Sequence, residues 1–75
     1  MNICIDKSFE KDTDKIRDKN LLNHIADCIE DVRKAENLNS IKNIKKLKGS
    51  NKYYRIKIKD YRIGIEIQNN NMIFI

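Results

Sequence analysis

The sequence predicts an α+β fold in which two N-terminal helices form a hairpin and pack on a mostly antiparallel sheet of about four strands. Two patterns predict it. Apolar residues recur at helical spacing over residues 21–35, which is typical of an amphipathic helix. Residues 53–58 and 61–67 form two β-rich runs that alternate polar and apolar side chains, as strands with one buried face do. No repeat or proline-rich linker divides the chain, so we expect one domain over residues 1–75.

The N-terminal elements follow from local signals. Residues 2–6 alternate, with Ile3 and Ile5 apolar, and this predicts a short strand with one buried face. Ser8 is expected to cap a first helix through its hydroxyl, and that helix is expected to end near residue 18 or 19. A second helix should begin at Asn20, and the short connection predicts that the two helices pair antiparallel.

The sequence of the middle of the chain allows two interpretations of its secondary structure. Asn37 to Ser40 should break the second helix, because Asn and Ser side chains compete for backbone hydrogen bonds. Beyond it, Ile41, Ile44 and Leu47 are interleaved with lysines. That spacing fits one or two helical turns, and it equally fits an irregular basic connector.

Lys59 and Asp60 separate the two alternating runs, which predicts a hairpin, with a two-residue turn or a loop of three or four residues. With a two-residue turn, residues whose numbers sum to 119 face each other. One face is then apolar, with the pairs Ile58/Tyr61, Ile56/Ile63 and Tyr54/Ile65. The other face carries Lys57/Arg62, Arg55/Gly64 and Tyr53/Glu66. A second turn is expected at residues 69–71, and residues 72–75 open a further strand.

Composition narrows the class of protein. Hydrophobic residues make up 40% and charged residues 36%, which suits a small globular domain rather than a disordered chain. At this size folding buries only about 60% of the surface that the unfolded chain exposes, so a partner or an oligomer is expected to add stability. Cys4 and Cys28 are expected to be buried apolar residues, because their number and spacing fit neither a disulfide scaffold nor, with one histidine, a zinc site. The chain has no apolar run long enough to span a membrane, so we expect a cytoplasmic protein with no membrane partner.

Charge is strongly segregated along the chain. Residues 1–41 hold 7 basic and 9 acidic side chains, whereas residues 42–62 hold 9 basic and 1 acidic. This distribution is typical of a surface that binds phosphates or docks an acidic partner. A solvated basic edge that opposes aggregation is the alternative.

The polar face of the predicted hairpin is the candidate site. Lys57 and Arg62 oppose each other there, where like charges cost stability. Arg55 joins them opposite Gly64, a residue that allows close approach of a ligand or another backbone. The three cations therefore predict an anion site with an open floor, and a solvated face with a packing glycine is the alternative.

The same segment resembles a known family. A lysine-rich turn leads into two strands that each carry Tyr-Arg-Ile, in the residues Lys45-Lys46-Leu47-Lys48-Gly49, Tyr54-Arg55-Ile56 and Tyr61-Arg62-Ile63. With the preceding strand and helical hairpin, this resembles the RelE/ParE toxin superfamily over nearly all 75 residues.

The resemblance implies a RelE-like fold and a toxin paired with an acidic antitoxin protein. It implies ribosome-dependent cleavage of messenger RNA and translation inhibition for RelE-like members, and inhibition of DNA gyrase for ParE-like members. Plasmid stabilization is a role that the superfamily also implies. In RelE-like nucleases, basic residues on the matching strands, here Arg55, Lys57 and Arg62, contact or activate the scissile region.

The residues indicate how such a site would work. RNA can be cleaved by its own 2′-hydroxyl if cations stabilise the phosphorane and a group moves protons. Arg62 is the candidate for the charge, and Lys57 for the proton or the phosphate. We expect neither a two-histidine mechanism, since His24 is alone, nor a metal or other cofactor, since the basic segment offers only Asp60 as a ligand. Further RNA contacts are expected from Lys45, Lys46, Lys48, Lys52, Tyr53 and Lys59.

One departure from the family concerns the C-terminus. RelE-like nucleases usually continue the last strand into an Arg and then a Tyr or His, whereas this sequence stops at Ile75. We therefore expect a toxin domain that lacks this C-terminal segment. Two explanations are open: the chain was cut, or the natural protein is short and inactive. An inactive domain that only binds its antitoxin is therefore a third functional alternative.

Overall fold

A computed structural model describes all residues from Met1 to Ile75. Two helices cover one face of a five-stranded sheet, so the α+β class is confirmed, and the sheet has one strand more than expected. The elements in chain order are β1 (Asn2–Ile5), α1 (Lys7–Asp14), α2 (Lys19–Lys34), a single 3-10 turn (Leu38–Ser40), β2 (Ile44–Lys46), β3 (Tyr53–Ile58), β4 (Tyr61–Gln68) and β5 (Asn71–Phe74).

The sheet has the strand order β1-β5-β4-β3-β2. The pairs β2/β3, β3/β4 and β4/β5 are antiparallel, and β1 pairs in parallel with β5. The first and last strands are therefore adjacent in the sheet. Neither helix has the length and apolar content needed to cross a bilayer.

The β3–β4 hairpin has the predicted register. Every cross-strand pair from Ile58/Tyr61 to Tyr53/Glu66 is observed, with a two-residue turn at Lys59 and Asp60. Lys59 carries a positive φ of 52°, which a lysine adopts at some cost. Asn69 in the β4–β5 turn has φ 56°, a conformation that asparagine tolerates better.

The core lies between the helices and the apolar face of the sheet. Phe74, Ile65, Met72 and Val32 are fully buried, and Phe9 of α1 packs edge-to-face on Phe74 with ring centroids 5.4 Å apart. The α2 stripe reaches the same core through Ile25 and Val32, as its periodicity predicts.

The capping residues differ from the prediction at α1. Asp6, not Ser8, is the N-cap, and its carboxylate accepts the Ser8 backbone N–H at 3.1 Å and the Ser8 hydroxyl at 2.6 Å. These hydrogen bonds lower the pKa of Asp6. The helix also ends earlier than expected, at Asp14, and Asp18 then caps α2 by accepting the Asn20 and Leu21 N–H groups.

Three expectations about burial and secondary structure are wrong. Residues 44–46 form an edge strand, β2, rather than helical turns or an irregular connector, because they pair with β3. Cys4 is exposed, since strand alternation places it on the face opposite Ile3. Ile5 is 45% exposed, because β1 is an edge strand with a neighbour on one side only.

The chain's amino group ties β1 to the end of α2. The Met1 ammonium donates to the carbonyls of Arg33 and Ala35, each at 2.9 Å. A cation at helix C-terminal carbonyls is favourable both as a hydrogen-bond donor and against the helix dipole. This contact fixes the edge of the sheet against the helix layer.

Candidate nucleic-acid interface

The sheet surface opposite the helices is uncovered, and we call it the open face. Its side chains form four rows that cross the strands. One row, Asn2, Asn71 and Gln68, is polar and uncharged, and the other three contain the candidate site. The first row is Leu47, Tyr53, Glu66, Ile73 and Cys4, the second is Lys45, Arg55, Gly64 and Ile75, and the third is Asn43, Lys57 and Arg62. The second and third rows concentrate the cations, and the first row is mainly apolar.

Arg55, Lys57 and Arg62 form the cationic trio, and the structure places all three on the open face, as the register predicts. Lys57 and Arg62 are exposed, and Arg55 is partly buried. The trio has no carboxylate within 4 Å, since the protein's single ion pair joins Arg33 to Glu30 on α2 at 2.7 Å. Its charges are therefore not neutralised within the chain.

The hydrogen-bond pattern brings the Lys57 and Arg62 side chains close together. The Ile67 N–H donates to the Lys52 carbonyl at 2.8 Å, which makes Lys52 and Ile67 a hydrogen-bonded pair. Pairs alternate along an antiparallel ladder, so Lys57/Arg62 is a non-hydrogen-bonded pair, with Cα atoms about 4.5 Å apart. Like charges meet here at the tighter of the two cross-strand spacings.

Gly64 does not provide the open floor that the sequence predicted. A Cβ added at Gly64 would lie 3.4 Å from Cγ1 of Ile75, whose side chain covers the glycine. The Ile75 N–H also donates to the Gly64 carbonyl at 3.0 Å, which extends the β4–β5 ladder. The floor of the second row is therefore closed by an apolar side chain.

The structure separates the six further residues that were predicted to contact RNA. Lys45 opposes Arg55 and extends the cationic rows onto β2, and Tyr53 lies partly buried in the first row. Lys52 lies beside it, with Nζ 5.3 Å from the Tyr53 ring centroid, within cation–π range. These three residues are near the trio.

The other three lie elsewhere. Lys46 pairs with Tyr54, so its side chain projects toward the helix side of the sheet edge. Lys48 is exposed in the turn between β2 and β3. Lys59 lies at the hairpin tip and borders a groove of about 400 Å³ between α2 and β3. The fold therefore distributes the six residues over more than one surface, and their contact with RNA stays a prediction.

That groove lies between α2 and the helix-facing side of the sheet. It is lined by acidic side chains of α2, by an apolar floor and by lysines on and beside the sheet, among them Asp27, Asp31, Ile41, Ile56, Lys42 and Lys57. Cys28 also borders it, and burial, together with the Asp31 charge, raises the pKa of its thiol to about 11. A thiol with this pKa is protonated at neutral pH and is a poor nucleophile. His24 is exposed at the groove's rim, as expected for a surface histidine.

Sequence reasoning gave no role to two residues that the structure makes prominent. Glu66 is the only acidic side chain in the three rows, and Ile75 covers Gly64. The predicted register already placed Glu66 opposite Tyr53, so the signal for it was present. The position of Ile75 required the β4–β5 register, which the single apolar run at residues 72–75 does not specify.

Comparison with known proteins adds three findings. The sequence model of the family described as "ParE toxin of type II toxin-antitoxin system, parDE" matches residues 3–75. Toxin RelE3 of Methanocaldococcus jannaschii is 37% identical over 75 residues, which span 99% of this chain and 84% of that protein. The solved RelB-RelE antitoxin-toxin complex from Methanococcus jannaschii contains a chain with a TM-score of 0.79 and 36% identity, and the match covers 95% of this chain and 83% of that one.

Proposed function

The chain belongs to the ParE toxin family of type II toxin-antitoxin systems, within the RelE/ParE superfamily, and we propose that this toxin cleaves messenger RNA on the ribosome through its open face. The similarity to RelE3 and to a RelE chain supports the choice of a RelE-like activity. Its place of action would be the cytoplasm, where ribosomes translate.

The observation that carries the proposal is the unneutralised cationic trio. Lys57 and Arg62 repel each other across a close pair, and no carboxylate of the chain offsets them. A fold gains nothing from this arrangement by itself. A phosphate bound between the two strands would remove the repulsion and form charge-assisted hydrogen bonds with both side chains.

The proposed reaction uses the RNA's own nucleophile. The 2′-oxygen attacks the adjacent phosphorus, the bond to the 5′-oxygen breaks, and the products are a 2′,3′-cyclic phosphate and a 5′-hydroxyl. The 2′-hydroxyl proton is released and the leaving 5′-oxygen takes one up, with Lys57 as the group that transfers a proton or holds the phosphate. Arg62 stabilises the negative charge that develops on the phosphorane oxygens, and Arg55 holds the neighbouring phosphate.

An acidic antitoxin is the proposed protein partner. The related RelE chain was solved as an antitoxin-toxin complex. The open face is basic and uncovered, so carboxylates of a bound antitoxin would pair with the trio and block access of RNA. Antitoxin binding would then both stabilise the small domain and silence it.

The test is cleavage of a messenger RNA in a reconstituted translation reaction, read by primer extension. Wild-type protein is expected to produce cuts that require ribosomes. Arg62→Ala is expected to slow cleavage by about 10²- to 10³-fold, the usual effect of removing one charge-stabilising donor. Arg17→Ala is the matched control, because Arg17 is an exposed arginine in the α1–α2 connection, away from the open face. Intact messenger at doses that stop translation would refute the nuclease.

Inhibition of DNA gyrase without nuclease activity is the second candidate. The family description that matches residues 3–75 names ParE and parDE, and this favours it. Gyrase supercoiling of relaxed plasmid, measured with and without the protein, separates the two candidates. Tight antitoxin binding with neither activity would identify the third alternative, an inactive domain that retains only its partner.

A further inference from the structure

Glu66 is an acidic residue on the open face, where the other charged side chains are basic. It is the only acidic side chain in the three rows, it is partly buried, and it pairs with none of the cations. On a surface that binds phosphates, a carboxylate repels the backbone of the nucleic acid. A carboxylate is useful there only if the part of the ligand that meets it donates hydrogen bonds.

Its neighbours in the first row are suited to a flat, apolar ligand. Tyr53 lies directly opposite in a non-hydrogen-bonded pair, where side chains approach most closely. Leu47 and Ile73 flank this pair on either side, and Leu47 is 40% exposed. The Lys52 ammonium lies over the Tyr53 ring at 5.3 Å. Aromatic, aliphatic and carboxylate groups thus lie side by side.

The carboxylate is held in position but keeps free acceptor sites. The Gln68 side-chain amide donates a hydrogen bond to Glu66 Oε2. An ionised carboxylate has about four lone-pair sites, so this single bond leaves room for further donors. Gln68 lies two residues farther along β4, so this bond holds the carboxylate away from the trio.

We propose that Tyr53 and Glu66 form a base-reading subsite that selects guanine in the RNA strand. Guanine stacks on or against the Tyr53 ring, and its N1–H and N2–H groups, two donors on the same edge, pair with the two oxygens of Glu66. The other bases lack this pair of adjacent ring and amino donors. Reading of an unstacked base by an aromatic side chain and an edge-directed polar group is a common mode of RNA recognition.

The subsite lies one step from the cations. Along β4, Glu66 is two residues from Gly64 and four from Arg62, and each residue advances about 3.3 Å, so the first row lies roughly 7 Å from the second. A nucleotide can therefore place its base in the first row and its phosphate at the second and third rows. This inference rests on the proposed function, because it names the nucleotide that is presented to the same trio.

Binding tests the subsite without requiring cleavage. Short single-stranded oligouridines that carry one central guanine, inosine, adenine or uridine are titrated with wild-type protein, Glu66→Gln and Glu36→Gln. Wild type is expected to bind the guanine RNA about tenfold more tightly than the adenine RNA, with inosine in between because it lacks the N2 amino group.

In Glu66→Gln the tenfold preference is expected to disappear. Affinity for the guanine RNA falls because the paired acceptors are lost, while affinity for the adenine and uridine RNAs stays equal or rises because a negative charge is removed. Glu36→Gln makes the same change of charge at an exposed position of the α2–β2 connection, and it is expected to keep the preference. Equal binding of all four RNAs by wild type, or a preference that survives in Glu66→Gln, would overturn the proposal.

Mapping of cut sites on translated messenger separates this inference from the proposed function. Cuts enriched at guanine in wild type and spread over all bases in Glu66→Gln would support both. A guanine preference in binding without any cleavage by wild type would refute the proposed nuclease activity and would still support the guanine subsite. Cleavage that Glu66→Gln slows equally at every base, with an unchanged distribution, would show that Glu66 does not select the base, and would overturn the inference.

Discussion

Lys57 and Arg62 oppose each other on adjacent strands with no acidic side chain nearby, and this pair sets the chemistry of the open face. Cross-strand like charges cost some tenths of a kcal/mol. Under the proposed function, an anion bound between the two side chains offsets this cost. Both the cost and the anion binding can be measured by changing one residue at a time.

Lys57→Gln is expected to raise the free energy of unfolding by about 0.2 to 0.5 kcal/mol, because it removes the repulsion with Arg62. It should also weaken RNA binding. Urea denaturation measures the first effect and titration with single-stranded RNA the second. Lys11→Gln, an exposed lysine of α1, is the control and should change neither. A loss of stability in Lys57→Gln would mean that Lys57 has a favourable partner.

The two glycines should respond oppositely to alanine. Gly64→Ala places a Cβ at ordinary contact distance from Ile75, and relieves the entropy cost of a strand glycine, so stability should be unchanged or rise by about 0.5 kcal/mol. Gly49→Ala meets no atoms but must adopt φ +81°, and should lose about 1 kcal/mol. Thermal unfolding checks both. RNA binding by Gly64→Ala should equal wild type, since Ile75 already covers the floor.

At the scale of elements, each helix depends on a carboxylate that caps its first turn. The Asp18 carboxylate accepts N–H groups of Asn20 and Leu21 at 2.9 and 3.2 Å. Asp18→Ala is therefore expected to cost about 1 kcal/mol of stability. Asp27→Ala on the same helix is the control, because the Asp27 side chain forms no hydrogen bond. Equal effects of the two substitutions on the urea midpoint would contradict a capping role.

The Asp6 cap gives α1 a pH dependence. Its hydrogen bonds to the Ser8 hydroxyl and N–H lower the pKa of Asp6 below 3.8, the value expected when unfolded. The stabilisation is therefore present above that unfolded pKa and is lost as pH falls through the folded pKa. Asp6→Asn keeps a capping side chain but cannot titrate, so its stability should fall less between pH 5 and the acid transition than wild type does, as followed by circular dichroism.

Some elements of this fold can be predicted from the sequence and others cannot, for physical reasons. The β3–β4 hairpin was predicted pair by pair, because an alternating pattern on both strands allows only one register. Strand β2 is not predictable in this way, because its three residues include two lysines and show no alternation. Asn43, just before it, also adopts a positive φ of 62°. A hydroxyl caps helices well, which favours Ser8 as the cap of α1, but the carboxylate of Asp6, two residues earlier, is equally suited and is the cap observed. Of the candidate site, the trio was predicted and its covered floor was not.

Positively and negatively charged side chains lie on different parts of the molecule. The cations of residues 42–62 lie mainly on β2, β3 and β4, whereas the acidic side chains lie mainly on the helices. Such a division orients the protein in the field of a polyanion so that the open face approaches first. Association with RNA or an acidic partner is then expected to slow as ionic strength rises.

Multivalent anions should stabilise the whole fold. Sulfate at ten times its dissociation constant adds about 1.4 kcal/mol by mass action, which raises the Tm of a domain this size by roughly 6–11 °C. Sodium chloride at equal ionic strength is the control solution, and Arg62→Ala is the control variant; neither should give the full rise. An equal rise in both salts would indicate general screening of repulsion rather than a bound anion.

Strand β1 has a single neighbour in the sheet, and that neighbour is β5. During synthesis the first strand leaves the ribosome long before the last, so it waits without a partner while the other four strands emerge. Joining the two closes a loop that spans almost the entire chain, a step with a large entropy cost that slows folding. Because β1 pairs only with β5, we expect the sheet of the growing chain to stay incomplete until β5 has left the ribosome.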